Sequence, residues 1–117
     1  MHVRFTKAVV LSVLFLGFAS RMRGDDDDKK ACMVHYTGKV QGVGFRATAA
    51  EIARDYKVTG WVKNLADGRV QLLVEGPSEE VDRFLKAITK RWKDNIEKEE
   101  SEKRSVTNSF KSFDVVK

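Results

Sequence analysis

The stretch Val58-Thr59-Gly60-Trp61-Val62-Lys63-Asn64-Leu65-Ala66-Asp67-Gly68-Arg69-Val70-Gln71-Leu72-Leu73-Val74-Glu75 decides the fold. Its two halves, Val58 to Asn64 and Gly68 to Glu75, are rich in the β-branched and aromatic side chains that favour pleated backbone. Between them, Ala66-Asp67-Gly68 carries the Asp-Gly pair of a tight hairpin. The segment predicts two antiparallel strands joined by a short turn.

Outward from this hairpin, both flanks change period. Upstream, Phe45, Ala49, Ile52, Ala53 and Tyr56 recur at spacings of three and four and predict one buried face of a helix. Downstream, Val81, Phe84, Leu85, Ile88 and Trp92 do the same. Pro77 and Ser78 stand at the entry of that second helix, where proline and a capping hydroxyl are favoured. Beyond the helices, Lys30 to Gly38 predicts a first strand. Ser109 to Lys117 predicts a last one, with Phe113 and Val115 alternating against Ser112, Asp114 and Val116. Ile96 to Arg104 has Ile96 as its only strong apolar residue and reads as a solvated edge strand or a loop. The order is β-α-β-β-α-β with room for one extra short strand. This is an α+β, ferredoxin-like arrangement, an antiparallel sheet with two helices on one face. That fold serves many functions and names none.

At 117 residues the chain allows one globular domain. Its 42% hydrophobic content can fill a core. Cys32 is the single cysteine, which excludes an intrachain disulfide framework and any cysteine-based metal cluster. His2 and His35 are the only histidines, so the expected metal and cofactor content is none. The net charge of +5, from 22 basic and 17 acidic residues, is a modest bias toward anionic ligands.

Residues 1–20 read as a secretory signal peptide. His2, Arg4 and Lys7 form a basic start, Ala8 to Ala19 is uncharged, and Gly17 and Ala19 suit a cleavage site. The apolar run is shorter than the roughly 20 residues that span a bilayer, so no stable membrane anchor is expected after cleavage. Residues 21–29, ending in Asp25-Asp26-Asp27-Asp28-Lys29, read as a polar linker that also resembles an enteropeptidase cleavage tag. A start of translation at Met22 or Met33 is the third reading. The location is therefore periplasmic or extracellular if the signal is used and cytoplasmic otherwise. Residues 30–117 form the expected domain.

Chemistry concentrates in Gly38-Lys39-Val40-Gln41-Gly42-Val43-Gly44-Phe45-Arg46. The run links the first strand to the first helix. Glycines there permit positive φ and close backbone approach, and the start of a helix leaves N–H groups without partners. Such a turn favours a phosphate-sized anion. Arg46 adds a planar guanidinium that binds two oxygens together. A cation in a helix's first turn opposes the helix dipole, and a bound anion offsets that conflict.

These residues resemble the acylphosphatase signature Gly-x-Val-Gln-Gly-Val-x-Phe-Arg at every fixed position. Gly60-Trp61-Val62-Lys63-Asn64 resembles the second motif of that family, Gly-x-Val-x-Asn. Asp67-Gly68-Arg69-Val70 and Glu75-Gly76-Pro77 are similar to its hairpin and second-helix entry. The resemblance covers about residues 30–117. It implies hydrolysis of acyl phosphates to carboxylate and inorganic phosphate. It also implies Arg46 as the phosphate-binding arginine, Val40, Gln41, Gly42, Val43, Gly44 and Phe45 as a backbone cradle, and Asn64 as the residue that orients the attacking water. The implied partner is a small-molecule acyl phosphate, with a monomeric protein and no nucleic acid. The family's pattern has a more regularly apolar strand where Glu97 to Arg104 lies.

Other residues carry blander readings. His35 lies inside the first strand and reads as a sheet-face residue, and Cys32 as a packing residue. Lys39 and Lys63 are candidates for raising positive potential near the loop. The competing functional reading is a non-catalytic ferredoxin-like module that binds RNA or another anionic partner, with Trp61 as a candidate stacking residue. A third is an accessory acylphosphatase-like domain of a larger carbamoyl-transfer enzyme.

Overall fold

The computed structural model describes residues 28–117. The segment read as a signal peptide, and nearly all of the linker, lie outside the described residues. Seven elements follow in order: β1 (Lys29–Gly38), α1 (Phe45–Ala53), β2 (Thr59–Asn64), β3 (Val70–Pro77), α2 (Ser78–Arg91), β4 (Ile96–Arg104) and β5 (Phe113–Val116). The sheet has five strands in the order β4-β1-β3-β2-β5.

Register explains the core. Val34 of β1 and Val62 of β2 both face Leu72 of β3, and all three are fully buried. Side chains alternate across a strand, so Cys32, Val34, Tyr36, Val70 and Val74 share that face with them. The helices cover it with Phe45, Ala49 and Ala53 from α1 and with Val81, Phe84 and Ile88 from α2. Phe45 is the hinge of this packing, with ring centroids 5.1 Å from Tyr36 and 5.2 Å from Trp92. Burial pushes the Tyr36 phenol well above its ordinary range, so it stays protonated.

The hairpin turn closes as its residue types predict. Gly68 takes φ +96°, its N–H donates to the Leu65 carbonyl, and the Leu65 N–H donates to the Arg69 carbonyl. The Asp67 carboxylate accepts from the Arg69 amide at 3.1 Å and from its guanidinium at 2.9 Å. These two donors, the amide foremost, hold the Asp67 carboxyl below the usual carboxylate range.

Two expectations need correction, and one choice left open is decided. The sheet is mixed, because β5 pairs parallel to β2. Strand β4 ends at one end of the sheet, and the connection crosses at that end to the free edge beside β2. A strand starting there can only run alongside β2 in the same direction. Second, Ser78 is not the helix cap. Pro77 occupies that position with φ −56° and no side-chain cap bond, which leaves Glu79 and Glu80 to complement the first turn of α2. Of the two readings of Ile96 to Arg104, the solvated edge strand holds: it is a strand along its whole length, and all of it beyond Ile96 is exposed. It pairs antiparallel with β1, and Thr89 of α2 donates to Glu99 at 2.9 Å. Charges on such an edge discourage pairing with other chains. Gly38 makes the approach of β4 possible, since a Cβ there would collide with the Asn95 carbonyl.

Candidate active site

The loop after β1 is anchored at both ends and open between. Val40 and Phe45 are buried in the core, while Gly42, Val43 and Gly44 are exposed. Gly42 and Gly44 hold φ of +78° and +88°, and nothing lies within 4 Å of where a Cβ would stand on either. Gly44 is the N-cap of α1 and makes no side-chain cap bond. Its carbonyl accepts from the Thr48 N–H at 3.0 Å, which begins the helical ladder. Among the described residues, the backbone N–H groups from Gly42 to Ala47 donate to no protein acceptor. Loop and first turn thus present a set of donors at the positive end of a helix, the arrangement that suits an anion.

Gln41 braces this loop from behind. Its amide nitrogen donates to the carbonyls of Leu65 at 2.8 Å and Arg69 at 2.9 Å, tying the loop to the β2–β3 hairpin. Arg46 is half-buried in the first turn of α1, and its Nη1 donates to the Val116 carbonyl of β5 at 3.1 Å. One of its five donors is used, and the others remain for a ligand.

Asn64 ends β2 on the helix-facing side, in the same row as Val70 and Tyr36. Its Oδ1 is buried and has no hydrogen-bond partner. A buried amide oxygen without a donor costs about 1–3 kcal/mol, and the Tyr36 hydroxyl and the Trp92 indole N–H are buried without a partner in the same way. Asn64 and Arg46 line one small cavity of about 190 Å³ with Val40, Gly42, Gly44, Phe45, Ala47 and Val115.

Gln41 and Val43 are not among the lining residues: the first turns to the hairpin and the second to solvent. Lys63 points away from the cavity, since it alternates with Asn64 and lies over the Trp61 ring at 5.2 Å on the helix-free face. His35 is on that face too, bonded to Gln71 at 3.0 Å. Cys32 is packed in the core. The sequence pattern places a last strand over Ser109 to Lys117 but not its part in the site, where β5 supplies Val115 as a wall and the Val116 carbonyl as the partner of Arg46. Nothing in the Phe113 to Val116 pattern signals it, because the contribution depends on where the strand docks. No Asp, Glu, His or Cys side chain lines the cavity, and no cluster of three or more such residues suited to a metal ion occurs among the described residues.

The family profile described as Acylphosphatase matches residues 32–115, almost all of the described chain. The chain belongs to the acylphosphatase family. An acylphosphatase of Bacillus velezensis is 53% identical over 53 residues, a match that spans 45% of this chain and 59% of that relative. The solved acylphosphatase from Bacillus subtilis superposes with a TM-score of 0.67 at 29% identity, covering 75% of this chain and 99% of that one. The acylphosphatase from Coxiella burnetii gives 0.70 at 27% identity, covering 81% and 100%. Both have the ferredoxin-like acylphosphatase architecture described above.

Proposed function

We propose that the protein hydrolyses acyl phosphates to a carboxylate and inorganic phosphate. The observation that carries this reading is that Asn64, whose buried Oδ1 has no partner in the chain, lines the same small cavity as Arg46 beside the donor-rich turn from Gly42 to Ala47. Family membership supports it.

In this reading the loop N–H groups and the Arg46 guanidinium hold the phosphoryl oxygens and balance their charge. Asn64 Oδ1 accepts a hydrogen bond from water and aims its oxygen at phosphorus. The bond from water oxygen to phosphorus forms as the bond from phosphorus to the acyl oxygen breaks. That oxygen leaves as a carboxylate, a good leaving group, so no strong general acid is required at that end. Catalysis is then positioning and charge stabilisation, the two main contributions in phosphoryl transfer. The buried amide keeps one charge state over the working pH, and Arg46 is held ready by Val116.

The test is hydrolysis of benzoyl phosphate by purified protein in the presence of a chelator. Arg46→Ala is expected to lower kcat/KM by about 100-fold or more and to lose competitive inhibition by phosphate. Asn64→Ala is expected to lower kcat to a similar extent while phosphate still inhibits. No turnover by the intact protein would overturn the reading. Residues 30–117 are the proposed catalytic domain and residues 1–20 a cleaved address. Mass spectrometry of the native protein should then find a chain beginning near Ser20, with 20 basic and 17 acidic residues and a net charge of +3.

A further inference from the structure

The cavity lies at one end of the sheet, where β1, β2 and β5 finish. At the other end is Glu75, a carboxylate that is only 3% exposed and paired in register with Ala31 and Thr59. Thr59 precedes Asn64 by five residues, about 17 Å of strand. Glu75 has no part in the chemistry above, and a buried charge needs a reason.

Its partners supply one. The eight residues between β4 and β5 must pass beneath β1, β3 and β2 to reach the far edge. Four inter-strand spacings are about 19 Å, and eight extended residues reach about 27 Å, so the strap has slack. Glu75 sits on the middle strand and grips the strap near its midpoint. Oε2 accepts from the Thr107 N–H at 3.1 Å and from its hydroxyl at 2.8 Å, and Oε1 accepts from the Asn108 N–H at 3.0 Å. Asn108 adopts φ +57°, and its side chain accepts from Lys29 Nζ at 3.1 Å. From this grip the chain runs to Ser112, whose carbonyl accepts from the Gly60 N–H at 2.9 Å, and then into β5. That strand has four residues and one strand neighbour, so it is weakly held by its own ladder. It nevertheless brings Val115 to the cavity wall and the Val116 carbonyl to Arg46.

We propose that Glu75 is a positioning residue for the phosphate site: its grip on the strap sets the seat of β5, and through Val116 the orientation of Arg46. The proposal rests on the reading of Arg46 as the phosphoryl-binding residue. Removing the carboxylate strands three donors, loosens the strap and lets Arg46 leave its bound orientation. Phosphate affinity then falls although no residue of the cavity has changed.

The experiment measures kcat, KM for benzoyl phosphate, Ki for inorganic phosphate and amide exchange of Phe113 to Val116, for the full chain and for Glu75→Ala, Glu75→Gln and Thr107→Val. For Glu75→Ala the KM and Ki should rise together by about fivefold, with faster exchange in β5. Glu75→Gln should fall between, because one oxygen can serve Thr107 while its NH₂ opposes the Asn108 N–H. A purely structural role would reduce the folded fraction, lowering kcat with KM and Ki unchanged, and that result overturns the proposal. If Glu75→Ala does not fold, Thr107→Val decides: a rise of about twofold in Ki supports the grip, and an unchanged Ki overturns it. Should the intact protein neither bind phosphate nor turn over, the functional reading falls. Unchanged exchange in β5 on removing Glu75 would then sink the grip separately.

Discussion

Gln41 and Asn64 carry the same amide group and put it to opposite uses. Gln41 donates to two carbonyls and is committed to the scaffold, whereas Asn64 Oδ1 is buried without a donor. Gln41→Ala should therefore cost about 1–2 kcal/mol in thermal unfolding, through two lost bonds that hold the loop to the hairpin. Asn64→Leu should do the reverse, gaining about 1 kcal/mol in the same measurement by removing an unpaired polar atom, while turnover of benzoyl phosphate is lost. A loss of stability in Asn64→Leu would mean that the amide is satisfied within the fold. At Gly44 the limit is backbone rather than space. With φ +88° and open space where a methyl group would stand, Gly44→Ala should cost about 1 kcal/mol from the left-handed conformation alone. The residue types of this loop were legible because glycine and arginine are unusual together at a helix start. The division of labour between Gln41 and Asn64 was not, since it depends on which neighbours each amide meets.

Strand β5 shows how an element can matter more to function than its pattern suggests. Phe113 anchors it, packing edge-on to Phe84 with centroids 5.2 Å apart, while Val115 is 44% exposed and faces the cavity mouth. Phe113→Ala should cost about 2–3 kcal/mol in denaturant unfolding, and the loss should be accompanied by weaker phosphate inhibition. Unchanged inhibition would separate the anchor from the site. The two helices were legible from their apolar stripes, and the β2–β3 hairpin from its turn. Strand β4 has no such stripe, because an edge strand under so little of the helical layer buries almost nothing. Its order comes from pairing with β1, an interaction between segments far apart along the chain. The direction of β5 was equally invisible, since alternation along a strand is the same for parallel and antiparallel partners.

Across the molecule, charge is tied to fold at a few points rather than spread as a field. Lys30 of β1 meets Asp82 of α2 at 2.7 Å and fastens the sheet to its helical layer. Its hydrogen bond to Asp82 raises the ammonium pKa above 10.5, so this contribution is complete at lower pH and is lost as pH rises through the raised value. Asp67 works in the opposite sense. Its lowered pKa makes the turn contribution present above 3.8 and lost as pH falls through the lowered value. Thermal stability should thus be flat near neutrality for these two groups, and Lys30→Met should flatten the fall above pH 10.5. On the helix-free face Trp61 has Lys63 over its ring at 5.2 Å and pairs in register with Leu73 of β3. Local sequence was enough to determine the order of the elements other than β4, the buried face of each helix and the phosphate-suited loop, because periodicity and turn chemistry act over a few residues. Only the tertiary structure decided that Asn64 and Arg46 share one cavity, that β5 runs parallel to β2, and that a carbonyl from the last strand holds the arginine. Those facts are set by which surfaces meet, and a period along the chain says which way a side chain faces but not what it will find there.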